Sequence, residues 1–509
     1  MQTLQKILFN SIKNNKTKNA IWVNNKYYTY KRINELSENF KKIFSNNKSD
    51  SVCILSEKNI HCYAAILATI LDGRVYVPLN PKFPVEKNKQ ILNFSESKIL
   101  LVESKFIKQA KLIVGKDNKK KIFIVILDKN IESNNLKKNP FKITTSKSIC
   151  YLLYTSGSTG KPKGVPINNM NLVNYLKNVS EKYRAGTKDK FSHNFDLTFD
   201  LSIHDIFFCW MSGSCLYVTP KKHLLNPGYF IRKHNLTMWF SVPSLGLNML
   251  KMKQLKKKAF PSLKQTLFCG EALPQVLVKN WQKAAPNSKI DNLYGPTETT
   301  IAILSYRWNQ KKSEKECVNE IVPIGTPFKK QKANFIIDKS LKKNTQPIGE
   351  LCLSGKQIFE GYLKNKKDSN SKLFKDKDKK IWFKTGDLVK KNSLGNYIYL
   401  GRVDRQIKVR GFRVEVQEVE NFLRKIIKSN YSAVVGWPLI ENSNYSYSGM
   451  VAFILNETKM KNNTILENLK KKLPLYSMPH TIIRLKKFPL NSNGKIDYKK
   501  LLSIMKNET

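Results

Sequence analysis

LLYTSGSTGKPKG, residues 152–164, is the stretch from which the rest of the chain can be read. The apolar run Tyr151 to Tyr154 predicts a buried strand. It passes directly into Thr155, Ser156, Gly157, Ser158, Thr159 and Gly160, with Lys161 and Lys163 just beyond. Glycines let backbone N–H groups come close to an anion, hydroxyls donate further hydrogen bonds, and lysines add charge. That combination suits a triphosphate. The spacing is not GxxxxGK[ST], so the loop is not a Walker A motif. A Gly/Ser linker has a similar composition, but a linker would not follow an apolar strand and precede PKGV.

Outward from this loop the first half alternates apolar runs with helical patterns. VCILSE (52–57), RVYVPL (74–79), KILLVES (98–104) and KIFIVILD (121–128) predict buried strands, and HCYAAILATILDG (61–73) a helix between them. This is the pattern of an α/β protein with a largely parallel sheet. LTMWFSVP (236–243) and KQTLFCG (264–270) continue it. From about residue 320 short strands with Gly and Pro turns take over: EIVPIGTPF, KANFIID and GELCLSG. After GRVDR (401–405) a small α+β pattern follows, with a helix over EVQEVENFLRKIIKS (415–429), strands in SAVVGWPL and YSGMVAFIL, and a further helix in ILENLKKKLPLYSMP. The expected division is a large domain over 1–403 and a small one over 404–509, with the boundary at Asp404.

The 509 residues are too many for one ordinary core. A hydrophobic content of 41% and an aromatic content of 11% exclude global disorder. No run of about 18 apolar residues predicts a transmembrane helix, and the N-terminus lacks the h-region of a signal peptide. Eight scattered cysteines with no CxxC pair argue against zinc and fit a reducing cytoplasm. The formal charge of +52 raises nucleic-acid binding as a possibility. Lysine dominates that charge, however, and is spread through the chain with Asn and Ile, as an AT-rich coding bias would produce. Solvated lysine surfaces are the expected reading, with no nucleic-acid partner. Arg402, Arg405, Arg410 and Arg413 cluster within 401–420 and are the better functional pointer, since arginine suits planar, bidentate contacts.

The loop is one of a series of motifs in order: VYVPLNPKFP (75–84), FDLSIHDIF (199–207), NLYGPTETT (292–300), GELCLSG (349–355), WFKTGDLV (382–389), GRVDRQIKVRGFRVE (401–415) and NSNGKIDYKKL (491–501). Together they cover nearly the whole chain, which resembles the adenylate-forming enzymes: acyl-CoA synthetases, luciferases and amino-acid adenylation domains. The resemblance implies ATP as substrate, Mg²⁺ as its counterion and no tightly bound organic cofactor. It implies an ATP site from the 155–160 loop with Lys163, Asn292, Tyr294, Gly295, Thr297, Asp387 and Arg402. Asn292 and Tyr294 would meet adenine. Asp387 would accept both ribose hydroxyls, and Glu298 would hold the metal. Lys495 would be the catalytic lysine, stabilising charge as a carboxylate attacks phosphorus. Asp404 would be the hinge about which the small domain swings. One pose presents Lys495, the other the loop from Lys408 to Gly411 for thioester formation.

The same resemblance bears on the substrate. In amino-acid-activating members the Asp at the position of Asp200 pairs with the α-ammonium. Helix capping also fits: Asp200 or Ser202 could cap, with Ser202 to Asp205 forming a capping box, and both roles can coexist. Asp196 reads as a turn residue. The implied pocket lining is Leu201, His204, Ser244, Leu267, Cys269, Leu293, Ile301 and Ala302, which predicts a small or medium uncharged amino acid. LFCGEALP (267–274) resembles the D-alanine–carrier protein ligases, so D-alanine is favoured, although His204 stands where those ligases would have a more apolar residue. No phosphopantetheine attachment site follows NGKID, so the expected acceptor is a separate, acidic, phosphopantetheinylated carrier protein, drawn by the basic charge. Adenylation of another amino acid for natural-product assembly and an acyl-CoA synthetase using unaminated acids are the alternatives.

Overall fold

The strand that opens the phosphate-type loop spans Ile149–Thr155 and lies inside a six-stranded sheet. The computed structural model describes all residues except 1, 46, 48, 116–120, 130–142, 158–160, 338–346, 430, 442, 444, 492–495, 508 and 509. The sheet order is Phe123–Ile126, Ile99–Val102, Ser51–Leu55, Val75–Leu79, Ile149–Thr155, Lys163–Asn168. The first five strands run parallel and the last antiparallel. Parallel strands need both faces covered, which is why these segments are continuous apolar runs rather than alternating ones.

A nine-stranded sheet packs beside it. Its central strands Lys289–Tyr294, Gln265–Phe268, Met238–Ser241, Lys190–His193, Cys215–Val218 and Asn19–Val23 are parallel. A third sheet is antiparallel and contains Lys332–Ile337, Gly349–Ser354 and Ile381–Lys391. The stretch EIVPIGTPF contributes only the two-residue strand Thr326–Pro327, because two prolines leave few donors for a ladder. From Ile407 onward the described strands pair only with one another, in two small sheets with helices Val416–Ile427, Asn462–Lys470 and Tyr498–Asn507. They enclose their own core around Val414, Val419, Leu423, Val434 and Ala452. The architecture is thus α/β with a β-rich third sheet and a small α+β end. No helix among the described residues is long and apolar enough to cross a membrane.

Helix Leu201–Met211 connects this scaffold to the site. Its residues Leu201 to Trp210 are all buried. A helix buried on every side belongs between layers, and this one packs against helices Leu4–Asn14 and Asn169–Tyr183. Phe207, Phe208 and Trp210 are buried to 2% exposure or less, each contributing about 2 kcal/mol. The helix starts immediately after Asp200, which presents its backbone but not its side chain as a cap. The capping-box reading is therefore corrected. Ser202 Oγ donates to the Leu197 carbonyl at 3.4 Å, and Asp205 lies past the first turn, where its Oδ2 pairs with His193 Nδ1 at 3.0 Å. Asp196 is a turn residue: its Oδ1 accepts from Thr198 N and Oγ1, and its Oδ2 from Asn80 Nδ2 at 2.8 Å.

Candidate functional site

Strands Lys190–His193, Met238–Ser241, Gln265–Phe268 and Lys289–Tyr294 end on one edge of the large sheet, and Ile149–Thr155 ends facing them. The crevice beyond the carboxyl ends of parallel strands is where α/β folds bind ligands. A cavity of about 130 Å³ lies there. Thr155, Ser156, Asp200, Leu201, Cys269, Leu293, Tyr294, Gly295, Thr297, Asp387, Arg402 and Lys408 all line it. Residues more than 250 positions apart in sequence are thus gathered at one place.

Asp200 is 4% exposed. Burial lifts its carboxyl to about 6, while a hydrogen bond from Thr297 and the charge of Lys408 pull it back down. Free of capping duty, the carboxylate can meet a cation in the cavity. The wall beside it is apolar: Leu201, Leu293 and Cys269, whose thiol burial pushes up to about 12. Behind this wall, His204 Nδ1 is hydrogen-bonded to Tyr175 Oη at 2.7 Å, and its ring meets Phe240 edge-on at 4.7 Å. Burial lowers His204 to about 3, so the ring is neutral. Gly295 is required by packing, since a Cβ there would sit 2.6 Å from Ala302 Cα.

Asp387 accepts hydrogen bonds from Tyr294 Oη and Arg402 Nη1. Arg402 also grips Asp404 with Nε and Nη2 at 2.6 and 2.7 Å. Burial works against the Asp404 charge, but this fork holds its carboxyl below the usual range. Lys408 enters the cavity from residues 407–413. Beside it Gly411, at φ +84°, lies so close to Val242 that a Cβ would be 2.7 Å from its Cγ1.

A second, polar cavity of about 230 Å³ adjoins the first and shares Thr155, Ser156 and Arg413 with it. Lys163, Glu298, Tyr362, Asp368, Lys372 and Asp404 line it too. Lys163 Nζ pairs with Asp368 at 3.0 Å. Glu298 is 1% exposed; its Oε1 accepts from Tyr362 Oη at 2.7 Å and its Oε2 from Arg413 at 3.0 Å. Burial opposes its charge, yet Arg413 and Tyr362 hold it below the usual carboxylate range. No group of three or more His, Cys, Asp or Glu side chains among the described residues could hold a metal. A hard cation at Glu298 would therefore take most of its ligands from phosphate and water, which fits Mg²⁺.

Several expected residues stand apart. His204, Ile301, Ala302, Leu267 and Ser244 are buried but do not line the cavity, and the Ser244 N–H donates to Glu271 at 2.7 Å. Asn292 turns its Nδ2 to the Val322 and Pro323 carbonyls at 3.3 and 2.9 Å. Gly157 packs on the Lys161 carbonyl. Ser158, Thr159, Gly160 and Lys495 lie outside the described residues. Conversely, Glu271, Phe83, Tyr399, Tyr445 and Tyr476 line the cavity unforeseen, and Phe412 stacks on Tyr476 at 4.2 Å with 3° between the rings. Arg413 already stood out in the arginine cluster; the aromatics carried no local signal.

The model of the AMP-binding enzyme family matches residues 8–363. Bacitracin synthase 3 from Bacillus licheniformis is 30% identical over 482 residues, covering 93% of this chain and 7% of that one. Gramicidin S synthase 1 from Brevibacillus brevis is 29% identical over 490 residues, covering 95% and 42%. The chain spans less than half the length of these curated relatives. Among solved structures, the Vibrio cholerae adenylation domain AlmE, in complex with glycyl-adenosine-5'-phosphate, matches with a TM-score of 0.88 and 29% identity over 99% of this chain and 98% of that one. The o-succinylbenzoate CoA synthetase MenE from Bacillus subtilis, bound with a product analogue, matches with a TM-score of 0.84 over 98% of each chain; at 19% identity it shows the fold alone.

Proposed function

The chain belongs to the AMP-binding enzyme family and is an adenylate-forming ligase; from that premise we propose that it activates a small uncharged amino acid and passes it to a separate carrier protein. Glycine and alanine, D-alanine included, are the size expected. One observation carries the reading: the buried Asp200 carboxylate, unused as a cap, borders an apolar wall that His204 and Tyr175 back. A carboxylate there has no purpose for an unaminated acid, and desolvating it costs stability unless a cation arrives. The likeness to an adenylation domain that holds a glycyl adenylate supports the small size.

In this reading, the substrate's ammonium sits on Asp200 and its carboxylate oxygen attacks the α-phosphorus of ATP, expelling pyrophosphate. Tyr294 offers its ring face to adenine, and Asp387 takes the ribose hydroxyls. Lys163 and the 155–160 hydroxyls hold phosphate oxygens, and Lys495 offsets charge at the reacting oxygens. Glu298 would hold Mg²⁺, which neutralises phosphate charge when bound. In the second step a thiol attacks the acyl carbonyl and AMP leaves. Lys408, Phe412 and Arg413 line the cavity and Gly411 packs against Val242, which supports a role for this loop in that step. An acidic carrier would be steered to so basic a protein.

The test is ATP–pyrophosphate exchange with glycine, D-alanine, L-alanine and propionate, followed by loading assays with carrier protein or coenzyme A. Exchange with the amino acids and none with propionate is expected. Propionate matching alanine would overturn the amino-acid reading, and loading of coenzyme A alone would overturn the carrier.

A further inference from the structure

From Ile206 to Gly270 the chain carries no Asp or Glu and ten Lys or Arg. Its overall acid content, 38 in 509 residues, would place about five acids in such a length. Four large apolar side chains stand out from this acid-free stretch: Leu225 is 72% exposed, Met252 57%, Tyr229 42% and Leu224 37%. Gln254 ties the two loops that carry them together. Its Nε2 donates to the Leu225 carbonyl at 3.2 Å and to Met252 Sδ at 3.6 Å, and its Oε1 accepts from Gly228 N at 3.0 Å. Asn226 caps the short helix Pro227–His234, its Oδ1 accepting from Tyr229 N at 3.2 Å. The apolar groups are thus presented by a braced surface.

Positive charge surrounds them. Lys251 and Lys253 flank Met252, Lys222 lies two residues before Leu224, and Lys233 Nζ is 5.6 Å from the centre of the Tyr229 ring; all four lysines are exposed. Among the described residues only two ion pairs join the stretch to an acid, Lys221 with Glu57 and Lys264 with Asp189. Apolar side chains scattered singly over a surface are ordinary. Gathered together and ringed by lysine, they suit an interfacial contact, in which the apolar tips enter the acyl boundary and the ammonium groups stay among the headgroups. Flexible point charges spread over two loops match a diffuse array of lipid phosphates better than the fixed carboxylates of a folded acidic protein. Arg232, the one arginine of the stretch, lies over the Phe260 ring instead. We propose that the face formed by Leu224, Leu225, Tyr229 and Met252 docks on anionic phospholipid bilayers as a reversible peripheral contact. Each lysine near such a surface adds about fivefold to partitioning, and the apolar side chains add a part that salt does not screen. The face uses no residue of either cavity, so docking is independent of the catalytic reading.

The test is sedimentation of the full chain with vesicles of phosphatidylcholine alone and of phosphatidylcholine mixed with phosphatidylserine. Binding about tenfold or more tighter to the mixed vesicles is expected. Leu225→Ser combined with Met252→Ser should weaken it about tenfold; Leu225→Ser alone serves if a thermal melt shows the double variant misfolded. Lys222→Gln, Lys251→Gln and Lys253→Gln together should lower it about tenfold or more. The same loss of charge at the exposed Lys470, Lys471 and Lys472, on the small α+β end, should change it little. Equal binding to both vesicles, unchanged affinity in the serine variants, or an equal fall in the distant lysine variant would overturn the proposal. So would capture on immobilised poly-glutamate that the serine variants weaken while the vesicles stay unbound, since the partner would then be an acidic protein.

Discussion

Lowering the pH should weaken amino-acid activation through Asp200. Its carboxyl is raised by burial from 3.8 to about 6 in the free enzyme, and only the ionised form can hold an ammonium. At pH 7 about nine molecules in ten are ionised, and at pH 5 about one in ten. The kcat/KM for the amino acid should therefore fall about tenfold between pH 7 and pH 5, at about 1.4 kcal/mol per tenfold. His204, held neutral down to about 3, adds no break in this range. Stability moves with the opposite sense. Because the folded carboxyl is raised, the unfolded chain gives up its proton first, and this group costs stability as pH rises from about 4 to about 6. Asp200→Asn should consequently stabilise the free enzyme by about 2–3 kcal/mol at pH 8. It should also cut exchange on the order of 10²- to 10³-fold, since the buried ammonium loses its partner. The assay is exchange at saturating Mg²⁺·ATP from pH 5 to 8, with urea melts of both forms. A wild-type profile flat across that range, or the same break in Asp200→Asn, would refute the reasoning.

Gly411→Ala should spare exchange but slow thiol loading at least tenfold, because its φ of +84° and the 2.7 Å approach to Val242 leave no room for a Cβ in this pose. Equal loss in both assays would count against that assignment. Gly295→Ala puts a methyl against backbone 2.6 Å away, and a loss of about 1–3 kcal/mol in thermal or urea melts is expected, with ATP binding weakened alongside. Lys495→Ala should abolish exchange while transfer from preformed aminoacyl adenylate largely survives; parallel loss of both steps would remove the division of labour.

What could be read from the chain was whatever is local or ordered along it. Apolar runs marked the strands, because parallel strands buried on both faces leave no polar alternation to confuse them. The loop after Tyr154 and the acid at Asp200 stood out because their residue types interrupt an apolar pattern, and Thr155, Ser156 and Asp200 line one cavity. The capping-box reading of Ser202 and Asp205 failed for a physical reason: the same spacing also occurs past the first turn, and Asp205 is claimed by His193 on a neighbouring strand. No local pattern reports such a pairing. His204 was located on the correct helix, but its partner Tyr175 comes from another helix. The aromatic lining from Phe83, Tyr399, Tyr445 and Tyr476 is likewise assembled from separated segments.

The Tyr175–His204 hydrogen bond, with Tyr175 near enough to Cys269 and Asp200 to feel their charges, has a bearing on fidelity in the proposed reading. A purely hydrocarbon backing can deform to admit one more methylene, which limits discrimination to about 1–3 kcal/mol. Here an intruding side chain would have to part a buried hydroxyl from a buried imidazole, stranding both at about 1–3 kcal/mol each. Larger amino acids would thus be rejected by broken polarity as well as by bulk. A directed change of specificity would have to alter Tyr175 and His204 together, because changing either one leaves the other as an unpaired polar group in the wall.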